Sequence, residues 1–200
     1  MKITIGTPHN GDFTPEYVAS LFTLTQGKEH NYQLALFETC LVHQGRNEIA
    51  HSAEGDFLLF IDTDMAFPKS ALNKLLSLKK DIVAGLCYSR KAPHLPNAHM
   101  LVDGLYKNVL DIPDEPFECD AMGTGFMLIS RKVLDAFKGE KPFGFETVNG
   151  KELGEDITFC RRAKEKGFEI WCDPTIQIIH MGKNAISRNH FEAYKIHRQA

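Results

Sequence analysis

The sequence predicts an α/β protein built as one domain around a mixed, mainly parallel, Rossmann-like sheet flanked by helices. Strand-like apolar runs alternate with amphipathic helical segments along most of the 200 residues, an order typical of parallel strands joined by crossover helices. The apolar content of 43% and charged content of 24% describe an ordinary globular chain, of a size at which one domain is expected. We therefore treat residues 1–200 as a single domain.

The first half of the chain supplies regular alternating elements. Lys2–Thr7 predicts a strand, and Thr14 followed by Pro15 opens a helix, because a hydroxyl suits the N-cap and proline suits the first helical position. The pattern then predicts strands at Asn31–Thr39, Phe57–Asp62 and Asp81–Tyr88, and helices at Leu41–Ala53 and Ser70–Lys80.

The second half is less regular. Lys91–Glu118 contains four prolines and predicts an irregular excursion or an antiparallel hairpin at the edge of the sheet, while Gly139–Gly154 predicts a glycine-rich, mobile loop. A helix over Glu152–Lys166 ends at Gly167, where a left-handed C-cap belongs. The remaining expectations are strands at Phe126–Ser130, Phe168–Cys172 and Thr175–His180, a short helix through Phe137, and a weak helix or flexible tail to Ala200.

Composition and charge exclude several classes of function. A formal net charge of −3 and a pI near 6.3 provide no field that would gather nucleic acid or anionic lipid. The longest uninterrupted apolar run, Phe57–Ile61, is too short to cross a bilayer, and the start of the chain lacks a secretion signal. Five scattered cysteines without a C-x-x-C pair indicate neither a disulfide framework nor a zinc site. We expect a cytoplasmic protein with no membrane span and no nucleic-acid partner.

An acidic pair follows the most apolar strand. Phe57–Asp62 runs directly into Thr63 and Asp64, and ligands of open α/β sheets bind beyond the carboxyl ends of the strands. An extended backbone would point Asp62 and Asp64 to the same side, where they could share a hard divalent cation that also suits diphosphate oxygens. A D-x-D triplet arises by chance on the order of once in two chains of this length. Its position after a buried strand is therefore what predicts a metal and diphosphate site.

With this motif in place, the chain resembles the GT-A glycosyltransferases, especially the family-two type, in which a D-x-D at a strand end binds the metal and the nucleotide sugar. Gly154, Glu155 and Asp156 at a predicted helix start resemble that family's E-D motif, whose carboxylate deprotonates the acceptor hydroxyl. Trp171–Pro174 leads through a short strand to His180, where many of these enzymes supply a histidine as a further metal ligand.

Other segments resemble the family in the same order. They are Arg46 and Asn47 near the nucleotide, Gly123, Thr124 and Gly125 in the loop against donor sugar and acceptor, and Thr7, Pro8 and His9 at the base and ribose. Lys183 follows His180 within reach of a departing diphosphate, although a lysine there is more often just a surface residue. The resemblance spans nearly the whole chain and points to a compact single-domain enzyme, as in some viruses and phages.

The resemblance implies a metal-dependent glycosyltransferase. It would move a sugar from a UDP- or GDP-sugar to the hydroxyl of a glycan or other acceptor, with inversion at the anomeric carbon. The implied Mn²⁺ or Mg²⁺ is held directly by Asp64. Asp62 contacts the ribose or makes a second, water-mediated contact to the metal. His180 is a further metal ligand, since neutral imidazole suits Mn²⁺ alongside carboxylates.

Asp156 is the expected base, with Glu155 as the alternative. Acidic residues in a first helical turn also simply complement the helix dipole. That dipole lowers a carboxylate pKa and weakens a base, so a catalytic Asp156 requires partial burial or acceptor contact. Arg46 and His180 also have structural explanations that involve no ligand. An arginine on a helix is often simply solvated, and a histidine at the end of a strand is often a packing residue.

Three other functions compete. Phosphatases of the haloacid dehalogenase type also place D-x-D after an apolar strand, but on their first strand, whereas Asp62 follows two predicted strands. Sugar nucleotidyltransferases share the architecture, but the loop Gly6–Gly11 lacks their glycine-rich Thr-Arg signature. A nucleotide-sugar-binding module without turnover would carry the same motifs, and only an assay separates it from an enzyme.

Overall fold

The main sheet of this computed structural model has seven strands, five of them parallel to one another and two antiparallel. The structure describes residues 1–182 and 185–199. Numbered in chain order and given in spatial order, the strands are β2 (Asn31–Glu38), β1 (Lys2–His9), β3 (Phe57–Ile61), β10 (Phe126–Ser130), β5 (Ile82–Gly85), β13 (Ile170–Asp173) and β8 (Phe117–Cys119). The prediction of a mixed, mainly parallel α/β sheet flanked by helices is confirmed.

Helices and small sheets surround this main sheet. The helices are α1 (Pro15–Thr25), α2 (Val42–Ser52), α3 (Ala71–Ser77), α4 (Arg131–Ala136), α5 (Glu155–Glu165) and α6 (Arg188–Gln199). The short strands are β4 (Met65–Ala66), β6 (Ala98–Val102), β7 (Leu105–Asn108), β9 (Ala121–Met122), β11 (Glu146–Val148), β12 (Lys151–Leu153), β14 (Ile179–Met181) and β15 (Ala185–Ile186). They form a β11–β12 hairpin and two three-stranded sheets, β15-β14-β4 and β7-β6-β9.

Both faces of the sheet are buried, and β3 shows why its sequence is continuously apolar. Leu58 and Phe60 pack into one core cluster, while Leu59 and Ile61 pack into a second cluster on the other face. A strand covered on both faces has no solvent-facing position for a polar residue. Its rigid end therefore delivers Asp62 to a fixed place.

The start of α1 fixes the loop that follows β3. Thr14 caps the helix, because its Oγ1 accepts a hydrogen bond from the Tyr17 amide at 3.2 Å, and Pro15 occupies the first turn as predicted. The backbone N–H and the hydroxyl of Thr14 also donate to the Thr63 carbonyl, each at 3.0 Å. The helix cap thus holds the middle residue of the D-x-D motif.

Several predicted elements of the second half differ from the structure. Gly139–Gly154 is not an irregular loop, because it contains the β11–β12 hairpin, which turns at Asn149 and Gly150, both with positive φ. The predicted helix over Glu152–Lys166 consequently begins later, at Glu155, although its end at the left-handed Gly167 is confirmed.

The proline-rich excursion Lys91–Glu118 forms the expected antiparallel hairpin, β6–β7, and its end joins the main sheet as β8. The strand predicted over Thr175–His180 begins only at Ile179. Among the described residues, no helix has the length and apolar character needed to cross a membrane. All five cysteines are free thiols.

Candidate active site

A cleft of about 480 Å³ opens beyond the ends of β3 and β5, and we call it the central cleft. Residues from several distant segments line it, including predicted site residues Arg46, Asp62, Gly123, Thr124, Gly125, Glu155, Asp156 and His180. Parallel strands present their carboxyl ends at one edge, where ligands of open α/β sheets bind. The topology therefore gathers residues that are up to 134 positions apart in the chain.

A second depression, the side groove, adjoins the central cleft and measures about 310 Å³. It is lined on one side by the end of β1, including Pro8 and His9, and on the other by Asp62, Thr63 and Asp64. Because Asp62 borders both depressions, the D-x-D motif lies between them.

The D-x-D motif itself does not continue the strand. The expectation of an extended backbone through Asp64 was wrong, because Thr63 and Asp64 form a turn in which the Met65 amide donates to the Asp62 carbonyl at 3.2 Å. The two carboxylates consequently contact different partners, although both border the side groove. The motif is therefore two distinct acidic positions.

Asp62 belongs to the arginine cluster, which comprises Arg46, Asp62 and Glu155. Arg46 extends from α2, and its side chain is only 4% exposed. Its Nη2 donates to both Asp62 oxygens, at 2.8 and 3.1 Å, and its Nη1 donates to Glu155. A planar guanidinium with several N–H donors can bridge two carboxylates in this way. The cluster therefore joins the D-x-D motif to the start of α5 through a buried positive charge.

Asn47 and Thr7 have buried side chains that bond within the protein. The Asn47 amide exchanges two hydrogen bonds with the Phe143 backbone, at 2.7 and 3.0 Å, and the Phe143 ring stacks on Phe159 of α5 at 4.6 Å. The Thr7 hydroxyl lies 2.7 Å from the Tyr17 hydroxyl. Nucleotide contacts for Asn47 and Thr7 remain predictions, and neither residue lines the central cleft or the side groove.

Asp156 stands beside the arginine cluster in the first turn of α5. One of its oxygens, Oδ1, accepts from the Ile157 amide at 2.8 Å. Burial raises the pKa of Asp156, and this effect outweighs the Ile157 amide and the Arg46 charge, which both lower it. A carboxylate at a helix N-terminus needs partial burial to be a useful base, because the helix dipole lowers its pKa. Asp156 is buried in this way.

Asp64 belongs to the histidine pair, which comprises Asp64 and His180. His180 Nδ1 lies 2.9 Å from the Tyr88 carbonyl oxygen and Nε2 lies 3.2 Å from Asp64 Oδ2. A carbonyl only accepts, so Nδ1 carries the donated proton and Nε2 is directed at the carboxylate. This is the arrangement by which a second partner orients a metal-binding imidazole.

Charge around the histidine pair favours an ionised carboxylate. Burial raises the pKa of Asp64, but His180 and Arg90, whose Nη1 lies 3.0 Å from Oδ2, together bring it below its usual range. Burial lowers the pKa of His180, yet its bonds to Asp64 and the Tyr88 carbonyl raise it overall.

The histidine pair could supply two protein ligands to a cation. Among the side chains that the structure describes, those of residues 1–182 and 185–196, no three His, Cys, Asp or Glu groups converge as a metal site. Magnesium-type ions are commonly held by one or two carboxylates, with substrate phosphates and water filling the other positions. An oriented imidazole next to an ionised carboxylate fits such an open site.

The glycines of the Gly123–Gly125 loop lie close to neighbouring side chains. A Cβ on Gly125 would lie 2.6 Å from Met65 Cε and 3.1 Å from Asp62 Oδ2, and one on Gly123 would lie 2.8 Å from Asn97 Nδ2. Neither glycine has a positive φ, so turn conformation does not explain them. The Thr124 hydroxyl between them is buried and has no partner among the described residues.

Some residues at the site carried no recognisable sequence signal. Arg90 and the Tyr88 carbonyl contact the histidine pair, and Asn97 supports the Gly123–Gly125 loop. They lie in and before the proline-rich excursion, where no motif marks individual positions. Lys183 lies outside the described residues.

Comparisons with known proteins address the fold. No protein-family model and no curated protein sequence matches the chain. Among solved structures it is similar to A197 from STIV, with 17% identity and a TM-score of 0.68 over 95% of this chain and 92% of that one. It is also similar to GalNAc-T7, solved with UDP, GalNAc and Mn²⁺, with 11% identity and a TM-score of 0.64 over 96% of this chain.

The chain spans about half of the GalNAc-T7 chain, 47% of its length. A third similar structure is the inositol-1-phosphate CTP transferase from T. maritima, with 11% identity and a TM-score of 0.50 over 99% of this chain and 94% of that one. At such identities the likeness shows the fold alone, and the mixed, mainly parallel sheet flanked by helices is consistent with the Rossmann-like GT-A fold.

Proposed function

We propose that the chain is a metal-dependent glycosyltransferase that moves a sugar from a nucleoside diphosphate sugar to an acceptor hydroxyl. The observation that carries the proposal is the meeting of the arginine cluster, Asp156 and His180 around one cleft beyond the ends of parallel strands, with Asp64 beside His180 in the adjoining side groove. Fold neighbours that include one glycosyltransferase solved with UDP, GalNAc and Mn²⁺ support it.

In this proposal, the donor lies across the D-x-D turn. A UDP or GDP moiety occupies the side groove beside Pro8 and Asp62, with Asp62 close to the ribose. The diphosphate lies at Asp64 and His180, next to the exposed Arg90 guanidinium, and the sugar enters the central cleft. The unpartnered Thr124 hydroxyl offers a hydrogen bond there, since buried polar atoms are normally paired.

Asp64 and His180 would hold Mn²⁺ or Mg²⁺. A cation bound there supplies positive charge that offsets the diphosphate as it leaves. Asp62 is less suited to direct coordination than the sequence suggests, because both of its oxygens accept hydrogen bonds from Arg46. It is better placed for the ribose or a water-mediated contact.

The chain's own residues would carry the proton transfer. Asp156 takes the proton of the acceptor hydroxyl as its oxygen attacks the anomeric carbon, and the bond from that carbon to the diphosphate breaks with its electron pair on the phosphate oxygen. Asp156 suits this role better than Glu155, because Glu155 is bonded to Arg46 whereas burial raises the pKa of Asp156. One displacement inverts the anomeric configuration.

The haloacid dehalogenase alternative fits the structure poorly. The first Asp of that motif must attack phosphorus, yet Asp62 is fixed by the forked Arg46 contact, and a paired carboxylate is a weaker nucleophile. The motif also follows the third strand of the chain, whereas that class places it on the first.

Calorimetry with UDP and GDP tests the proposed site without an acceptor. We expect binding in Mn²⁺ or Mg²⁺ and a much weaker signal in chelator, because the diphosphate would otherwise face Asp62 and Asp64 without an intervening cation. Equal affinity with and without the metal would overturn the proposed metal dependence.

A further inference from the structure

The edge strand β2 is unusually exposed for a natural sheet edge. Among the described residues it pairs only with β1, along all eight of its residues. Natural edges are commonly protected by lysine, proline, bulges or short length, and β2 has none of these in Asn31–Glu38. Its open side therefore presents a row of backbone groups ready for another strand.

Backbone hydrogen bonds show which residues form that open side. The Asn31 amide donates to the Met1 carbonyl at 2.9 Å, and the Thr39 amide donates to the His9 carbonyl at 2.7 Å. Odd-numbered residues of β2 thus direct their N–H and C=O groups to β1. The even-numbered residues, among them Leu34 and Leu36, direct theirs outward because backbone groups alternate along a strand.

The side chains of Leu34 and Leu36 also lie on an apolar surface. They pair with Ile5 and Thr7 on the face of the sheet that α1 covers, yet each is 51% exposed. On α1, Val18 and Phe22 are 53% and 63% exposed.

These helix residues lie on the flank of α1 that is turned away from β4. Ser20 Oγ accepts from the Phe67 amide on the β4 side of α1, and Val18 and Phe22 lie on the opposite flank of the helix. Leu34, Leu36, Val18 and Phe22 are large exposed apolar residues of β2 and of the helix that covers its face of the sheet, and we call these four residues the edge patch.

The charge pattern of the edge patch indicates a protein partner. Across α1 and β2 the charged residues are Glu16 and Glu38, with no lysine or arginine. Protein interface cores are depleted of charge, whereas membrane-surface binding favours lysine and arginine on the polar border. Lipid also cannot pair the outward N–H and C=O groups of β2.

We propose that β2 pairs antiparallel with β2 of a second copy of this chain, so that two main sheets join into one continuous sheet. A two-fold axis midway between the Leu34 residues of the two copies, perpendicular to the sheet, keeps α1 of both copies on the same face. This register places Leu34 opposite Leu34 of the second copy and Tyr32 opposite its Leu36. It also places Glu38 opposite His30 of the second copy, so neither acidic end meets its own charge.

The central cleft remains open in this arrangement. The central cleft is lined by residues after β3 and β5, on the other side of β1 from the edge patch. The dimer therefore does not depend on the proposed glycosyl transfer, and either proposal can fail alone.

Light scattering coupled to gel filtration tests the dimer. The wild-type chain should elute at twice the 22.6 kDa chain mass, and Leu34→Lys should be monomeric because two lysines would meet at the axis. Leu34→Pro should also be monomeric and folded, since the amide it removes faces outward. The control is Ile196→Lys, which changes a 68% exposed residue on α6 and should remain dimeric.

Mixing two charged variants tests most directly whether Leu34 of one copy meets Leu34 of the other. Leu34→Lys and Leu34→Glu should each be monomeric alone and should form a dimer when combined, with an affinity at least about tenfold above either alone. Far-UV circular dichroism must match the wild type in each case. A monomeric wild-type chain, a Leu34→Lys dimer, or binding of the wild-type chain to anionic vesicles through this patch would overturn the proposal.

Discussion

The arginine cluster and the histidine pair place two aspartates of one motif in opposite chemical situations. Asp62 is held by both Nη2 contacts of a buried guanidinium that never gives up its charge. Asp64 faces an imidazole, which can lose its proton, and an exposed arginine. The permanent charge of Arg46 stabilises the folded arrangement of Asp62, whereas the His180 imidazole can lose its proton and leave Asp64 available to a metal ion. The D-x-D motif thus combines a structural position, Asp62 paired with Arg46, which we call the anchor, with a candidate metal ligand, Asp64.

Asp156 lies beside the anchor, and its removal should have the largest effect on turnover. Asp156→Asn should lose about two to four orders of magnitude in transfer rate, because an amide cannot accept the acceptor proton. Nucleotide affinity measured by calorimetry should be retained, since Asp156 does not belong to the histidine pair.

Glu155→Gln is the matched control for that variant. It should lose less transfer activity, because Glu155 bonds Arg46 and is less free to act as base. Near-normal turnover by Asp156→Asn, or retention of the donor's anomeric configuration in the product, would remove Asp156 from the proposed role.

Breaking the anchor should have the largest effect on stability. Arg46→Met would leave Asp62 and Glu155 facing each other with no buried positive charge, and removing one partner of a buried ion pair costs about 3–5 kcal/mol. We expect a loss of about 3 kcal/mol in the free energy of unfolding by urea denaturation, at the lower end because Asp62 is 29% exposed.

Arg161→Met provides the comparison for that loss. Arg161 also pairs with two glutamates, Glu146 and Glu165, but it is 28% exposed and lies away from the central cleft. Exposed pairs contribute about 0–1 kcal/mol, so this variant should remain close to the wild type. Equal losses for the two arginine variants would contradict the role of Arg46 as an anchor.

The histidine pair should dominate the response to metal. Asp64→Asn should weaken Mn²⁺-dependent nucleotide binding on the order of tenfold or more, because a hard cation loses an anionic ligand. His180→Ala should weaken it less, and more with Mn²⁺ than with Mg²⁺.

Two further aspartate variants serve as controls for the effect of Asp64→Asn on metal-dependent binding. Asp103→Asn, at a carboxylate whose side chain is 87% exposed, should bind as the wild type does. Asp62→Asn should cost stability while retaining the dependence on metal. A larger loss of metal dependence for Asp62→Asn than for Asp64→Asn would reverse the comparison.

A smaller effect concerns pH. The pKa of Asp156 is raised above its unfolded value by burial, so its neutral form favours folding. That stabilisation is complete below the unfolded pKa of about 3.9 and is lost as pH rises through the folded pKa. Asp156→Asn should therefore be more stable than the wild type at neutral pH, and the gain should shrink in acid. Thermal unfolding measured across pH would show a constant difference if this interpretation is wrong.

The sequence was sufficient for the framework because its signals are local. The cap at Thr14, the apolar strand before Asp62 and the left-handed Gly167 each depend on neighbouring residues. The E-D motif at a helix start and His180 at a strand end are local as well, and the sheet order brings them to one cleft.

The features that the sequence did not predict depend on residues that are distant in the chain. Arg46 lies on a polar-looking helix, and only the positions of Asp62 and Glu155 explain its burial. Arg90 similarly acquires its place from Asp64. The β11–β12 hairpin was missed because glycines suggested a loop, whereas Gly150 supplies the positive φ that its turn requires.

Product analysis tests the central claim most directly. Each nucleoside diphosphate sugar is incubated with the chain and Mn²⁺, and phosphorus NMR follows the products, with water serving as a slow acceptor. We predict release of the nucleoside diphosphate by the wild-type chain and Asp103→Asn, and little release by Asp64→Asn or Asp156→Asn. Release of a nucleoside monophosphate or inorganic phosphate instead, or metal-dependent binding without any release, would contradict a glycosyltransferase.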